Sequence, residues 1–135
     1  MKQVNNDNGC FICGEDNPYG FQLKPVLDRA AQCATLELQI PQRFQGWQGL
    51  AHGGILAALL DEVSVHACMS ESTQFVTAGI NVRYLKPVPV EQPIRVIAKV
   101  CTVKRRKLTV AAELYSAGEL CATAETQVMA LTGAL

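Results

Sequence analysis

Two glycines ahead of an apolar run, with two carboxylates two turns inside it, are the residues of this chain best suited to chemistry. The segment Gly46-Trp47-Gln48-Gly49-Leu50-Ala51-His52-Gly53-Gly54 leads into Ile55-Leu56-Ala57-Ala58-Leu59-Leu60 and then Asp61-Glu62. Adjacent glycines let a ligand approach the backbone where a Cβ would obstruct it. A helix beginning there offers unpaired N–H donors and the positive end of its dipole, which suit an anion or a developing oxyanion. A plain tight loop, with His52 as a cap or packing residue, would read the same way. Asp61 argues for more, because an ionisable group inside an apolar helix costs several kcal/mol unless it is paired.

A helical wheel separates the two acids. Asp61 falls on the face of Ala57, Ser64 and Cys68, opposite Ile55, Leu59 and Val63. Small neighbours leave room beside its carboxylate, as a pocket requires. Glu62 has His66 one turn on, the i,i+4 spacing of an ordinary ion pair or hydrogen bond. Asp61 is therefore expected to be functional and Glu62 structural.

The remaining candidates have plainer readings. Cys10 and Cys13 have the spacing of half a zinc site, but Cys33 is the one nearby third thiol and no second pair follows. The pair is read as free thiols, with no metal expected. Lys104-Arg105-Arg106-Lys107 is a basic turn, either a solvated hairpin or a grip for phosphate through Arg105 and Arg106.

The elements that must position these groups follow from periodicity. Ala34 to Ile40 alternates apolar and polar residues, as a half-buried strand does, and Pro41 stops it. A Gln- and Gly-rich loop follows, with Phe44 and Trp47 as expected packing anchors. Gly53 to about Met69 reads as a helix that is apolar nearly all round and hence central. Strand-like runs then cover 75–85, 94–103, 107–116 and 120–131, separated by short turn signals. Short turns predict antiparallel neighbours, giving an α+β fold with one helix on a curved sheet. Such a sheet leaves edges that a homodimer would cover.

Composition narrows the function classes. The chain has 135 residues, enough for one domain, with 49% hydrophobic and 18% charged residues. That excludes disorder. Twelve basic and twelve acidic residues cancel, leaving no overall field to gather nucleic acid or an anionic membrane. The longest aliphatic run, 55–60, is far below the ~20 residues of a membrane span. Residues 1–9 are polar, read as a flexible tail without a secretion signal, with 10–135 as the single domain. Six cysteines without such a signal imply a reducing, cytoplasmic setting.

His52-Gly53-Gly54-Ile55-Leu56-Ala57-Ala58-Leu59-Leu60-Asp61-Glu62 resembles the signature of hotdog-fold acyl-CoA thioesterases of the phenylacetate-pathway and hydroxybenzoyl-CoA type. Asn81-Val82-Arg83-Tyr84-Leu85-Lys86-Pro87 looks like the strand after that family's central helix, and the Cys10–Gly14 and Asn17–Gly20 pieces are similar to an N-terminal extension of one bacterial branch. The resemblance implies a hotdog fold and hydrolysis of an acyl- or aryl-CoA, with coenzyme A part of the substrate and no cofactor. It implies that Asp61 is general base or nucleophile, that the Gly53 amide polarises the thioester carbonyl, and that Thr77 helps hold water. His52 becomes a positioning residue and Gly54 a substrate contact; Arg83 and Lys86 are candidates to join Arg105 and Arg106 in gripping the phosphates of coenzyme A. The family often places Asn or Gln where this chain has Gly46, so Gln45, one residue earlier, is the expected substitute.

Gly53 and Asp61 are eight residues apart, ~12 Å along a helix. One carbonyl needs donor and attacking group within about 3–3.5 Å, so one helix cannot supply both. Two antiparallel helices can, and the expected assembly is an obligate homodimer with shared sites, or a dimer of dimers. Two other functions remain open. A dehydratase or hydratase would normally use a catalytic histidine and a differently spaced acid. A non-catalytic acyl-CoA binding or sensing domain would fit the missing amide side chain at Gly46.

Overall fold

Alternating apolar residues drive the sheet, and the computed structural model, which describes residues 4–70 and 73–131, gives it six antiparallel strands. These are β1 (Val26–Asp28), β2 (Cys33–Gln39), β3 (Phe75–Tyr84), β4 (Pro93–Lys104), β5 (Lys107–Ser116) and β6 (Glu119–Ala130), in the order β1-β2-β4-β5-β6-β3. Helix α1 (Gly53–Cys68) packs on one face. The α+β arrangement of one helix on an antiparallel sheet is as the sequence predicts. Ala34, Leu36 and Leu38 of β2, Ile94, Val96 and Ala98 of β4, and Leu108, Val110 and Leu114 of β5 form the apolar bed. Leu56, Leu59, Leu60 and Val63 press into it from α1. Leu59 and Val63 are fully buried, and truncating such a leucine to alanine typically costs about 2–5 kcal/mol.

Tight turns join β4 to β5 through Arg105-Arg106 and β5 to β6 through Ala117-Gly118, where both residues have positive φ. The β3–β4 connection departs from the short-turn expectation. β3 pairs with β6 at the far edge of the sheet, and the Pro87- and Pro89-containing segment carries the chain across to β4. A bulge between Thr77 and Gly79 shifts the β3 register, so that Thr77 opposite Val128 and Ile80 opposite Thr126 face α1 alike.

The face of α1 differs from the wheel. Ser64 and Cys68 point into the sheet with the leucines instead of sharing Asp61's opening. The Ser64 hydroxyl donates to the Leu60 carbonyl at 2.7 Å and accepts from Thr126 at 3.0 Å, which offsets its burial. The half-open face of the helix carries Gly53, Ile55, Ala57, Ala58, Asp61, Glu62 and Val65. Trp47, expected as an anchor, is 84% exposed. Phe44 does anchor, stacked on Phe21 at 4.5 Å with Phe11 edge-on to both.

The region read as a tail is tied down from its first described residue, because Val4 exchanges backbone–side-chain hydrogen bonds with Gln74. Residues 71 and 72, in the expected turn after α1, lie outside the described residues. No helix among the described residues is long and apolar enough to cross a membrane.

Candidate functional site

The loop before α1 is shaped by its own backbone. Gly46 N–H donates to Leu50 at 2.9 Å, Ala51 N–H to Val88 at 2.8 Å and His52 N–H to Phe44 at 3.0 Å. His52 is the N-cap: its Nδ1 accepts the Gly54 N–H at 2.8 Å, and its carbonyl accepts from Ile55 and Leu56. The Gly54 amide is thereby committed inside the chain, which removes it as the donor for a substrate. The Gly53 N–H has no acceptor among the described residues. The Gly53 carbonyl is held by the Tyr84 hydroxyl at 2.8 Å, fixing the first turn to the end of β3.

Two turns on, the Thr77 hydroxyl donates to Asp61 Oδ1 at 2.5 Å. This contact joins α1 to β3. Burial pushes the Asp61 carboxyl above the ordinary carboxylate range; the Thr77 hydrogen bond pulls it back and the neighbouring Glu62 charge adds to the rise. The outcome is a half-buried carboxylate with elevated basicity, oriented by a hydroxyl, the properties of a general base.

Glu62 turns the other way. Its carboxylate meets His66 Nε2 at 3.1 Å and lies 3.8 and 3.9 Å from the Cys10 thiol. Burial alone would raise its pKa, but hydrogen bonds from His66, Cys13 and Cys10 and the charge of His66 outweigh burial and hold it below the ordinary value. Burial, with the same carboxylate second, pushes the Cys13 thiol far up. Both histidines are thus occupied, His52 in the cap and His66 with Glu62.

Gln45 does not open toward a substrate through its carbonyl oxygen, which accepts the Gly49 N–H at 3.0 Å. The glycine beside it has a steric reason: a Cβ at Gly46 would lie 3.2 Å from His52 Cα. Any side chain there would press on the cap.

Three basic candidates stand apart from Asp61. Arg83 lies opposite Thr123 on the sheet face away from α1. Arg105 and Arg106 form the exposed β4–β5 turn. Lys86, weighed with Arg83, is paired with Glu119 at 3.0 Å.

Two residues not singled out for function line the entrance. A cleft of about 370 Å³ beside Gly53 is walled by Trp47, Leu56, Tyr84, Leu85 and Pro87. No local sequence signal marks Tyr84, which β3 brings to Gly53 from 31 residues away. A larger cavity, about 630 Å³, runs between β2, β4 and β5. Its polar walls, Glu37, Arg95 and Tyr115, lack a base beside an unused donor.

Residues 48–123 match the family model described as the Thioesterase superfamily. The chain is 29% identical over 112 residues to acyl-coenzyme A thioesterase THEM4 of Rattus norvegicus, covering 83% of this chain and 47% of that protein. The Mus musculus protein of the same name is 32% identical over 100 residues, covering 74% of this chain and 43% of its own length. The chain thus spans about half the length of the curated relatives it matches. Among solved structures, a phenylacetic acid degradation-related protein of Ralstonia eutropha JMP134 superposes with a TM-score of 0.71 at 25% identity, covering 77% of this chain and 80% of that one. The PaaI protein of E. coli gives 0.71 at 17% identity, covering 76% and 75%, a likeness of fold alone.

Proposed function

Since the chain belongs to the Thioesterase superfamily and has its hotdog fold, we propose that it hydrolyses an acyl- or aryl-CoA thioester with Asp61 as the base. The observation that carries this reading is the Asp61 carboxylate, held by Thr77 on the half-open face of α1 while the Gly53 N–H is unused. Asp61 removes a proton from water, and the oxygen bonds to the thioester carbon. The oxyanion so formed accepts the N–H of Gly53 of the partner subunit. The C–S bond then breaks, and the proton passes from Asp61 to the departing sulfur. The products are a carboxylic acid and the free thiol of coenzyme A. The step uses the Asp61 carboxylate, oriented by Thr77, together with one amide and water.

The partner is needed because Gly53 and Asp61 sit at different turns of one helix. The half-open stripe of α1 and the unpaired edge of β3, ten residues long, are the surfaces a second copy would cover. A dimer of dimers is a larger assembly of the same unit. The apolar cleft by Trp47 and Tyr84 suits the acyl or aryl group, and Arg105 and Arg106 suit the nucleotide phosphates. The reading places the reaction in the cytoplasm.

Thiol release across a panel of acyl- and aryl-CoA esters, wild type beside Asp61→Ala, tests the chemistry. Hydrolysis of at least one ester by the wild type and its loss in the variant is expected. Sedimentation at assay concentration tests the assembly, and an active monomer would refute the shared site. The lack of any side chain at Gly46 favours one second reading, a domain that binds acyl-CoA without turnover. Binding without thiol release would select it.

A further inference from the structure

The sequence leaves Cys10 and Cys13 without a third partner, and the fold supplies one 52 residues away. Sγ of Cys10, Sγ of Cys13 and a carboxylate oxygen of Glu62 all lie within 4.8 Å of one another. Behind them, His66 holds Glu62 at 3.1 Å.

The turn that carries the two cysteines is built around sulfur. Ile12 N–H and Cys13 N–H both point at Cys10 Sγ, at 3.4 and 3.5 Å, while Gly14 N–H closes the turn on the Cys10 carbonyl at 3.0 Å. A thiol is a weak acceptor; two converging amides serve a thiolate far better. Gly14 is required, since a Cβ there would sit 2.4 Å from Cys10 N and 2.5 Å from Asn8 O. Thiolates, a carboxylate and amides aimed at sulfur make a donor set for a thiophilic divalent ion. The spacing fits as well. Around a tetrahedral zinc with ordinary bond lengths, sulfur and oxygen ligands are about 3.5 Å apart. The Cys10–Glu62 separations of 3.8 and 3.9 Å are close to that before any adjustment.

We propose that Cys10, Cys13 and Glu62 bind a structural zinc ion, with His66 orienting Glu62. The fourth position goes to water or, after a side-chain rotation, to His66. The ion fastens the N-terminal turn to α1 on the side away from Thr77. Through Phe11 and Phe21, which clasp Phe44, it also steadies the strand-to-helix loop that ends at Gly53. This site replaces the expectation of free thiols, and it stands whether or not the proposed hydrolysis is correct.

The test uses the full chain, reduced, stripped with a chelator, then titrated with zinc or with cobalt as a spectroscopic substitute. The wild type is expected to take up one zinc per chain and to show thiolate-to-cobalt charge-transfer absorption. Zinc should raise its melting temperature by roughly 5 °C or more. Cys10→Ser and Cys13→Ser should lose the absorption, Cys33→Ser should keep it, and Glu62→Gln should bind zinc at least ~10-fold more weakly. No uptake by the wild type at micromolar zinc overturns the proposal, a result that needs no variant to fold. Unchanged binding in Cys13→Ser or Glu62→Gln also overturns it. So does a Cys10–Cys13 disulfide that, once reduced, leaves a protein without metal affinity.

Discussion

Asp61 and Glu62 are consecutive carboxylates on one helix, yet the structure treats them oppositely. Asp61 has one hydroxyl partner and an open flank, and burial lifts its pKa. Glu62 has a histidine and two thiols around it, and these hold its pKa down. The difference teaches that basicity inside a protein follows from how many donors converge on a group more than from burial alone, since both acids are partly buried. A carboxylate left short of donors is available for a proton; one supplied with them is committed to structure.

The comparison breaks most sharply at Asp61. Asp61→Asn keeps the shape and the Thr77 contact but cannot take a proton, so turnover should fall by ~10²-fold or more. Its folding should not suffer. An acid whose pKa is raised by folding makes the native state lose stability as pH rises from the unfolded value through the folded one. Above the folded value that loss is complete, so there the Asn variant should melt at or above the wild-type temperature. Steady-state thiol release with melting curves checks both; full activity in the Asn variant would end the base assignment.

Thr77→Val sharpens the contrast by removing the one donor to Asp61 among the described residues. Turnover should fall roughly tenfold from lost orientation. The acid limb of the pH–rate profile should move up from its wild-type position, because the lost hydrogen bond was lowering the Asp61 pKa. An acid limb that stays put, or moves down, would contradict the geometry.

Glu62→Gln should act on folding before turnover. Charge-assisted contacts to His66 and the thiols are lost, at a cost of about 1–3 kcal/mol, while turnover per folded molecule falls far less than in Asp61→Asn. For the metal-free protein the sign with pH is opposite to that of Asp61. Its depressed pKa contributes stability above the unfolded value, and that contribution disappears as pH falls through the folded one. Urea melts across the acid range, wild type against Glu62→Gln, should therefore converge at low pH.

Much of this could be read along the chain, because α1 and five of the strands carry strong local periodicities. β1 escaped, being three residues long with no alternation to display. The neighbour of β3 escaped for another reason: pairing with β6 rather than β4 is a nonlocal choice, and the intervening prolines only mark a break. Asp61 and Thr77 could both be named from the resemblance, but the hydrogen bond between them, 16 residues apart, could not. Which side of the helix opens could not be read, since a serine does not announce that a distant Thr126 will satisfy it in the core. Trp47 misled because a large apolar side chain reads as buried, whereas the loop's own backbone bonds turn it outward. The third partner of Cys10 and Cys13 lies 52 residues off, beyond the reach of spacing.

The bulge in β3 has a consequence for how such a chain can change. A strand has two parities, odd and even positions facing opposite sides, and Ala78 is the residue at which β3 switches between them. Phe75 and Thr77 share one parity, and Ile80, Val82 and Tyr84 the other, yet all present themselves to the helix side. Flattening the bulge with Ala78 retained would impose one phase throughout and force a choice: either Thr77 leaves Asp61 or Tyr84 leaves Gly53. Deleting Ala78 instead sets Thr77 and Tyr84 six residues apart, still on one side of a regular strand. The strand can thus lose this residue and keep both ends of the helix, whereas one residue added to the regular stretch between Gly79 and Tyr84 would turn one end away without altering any residue that touches it.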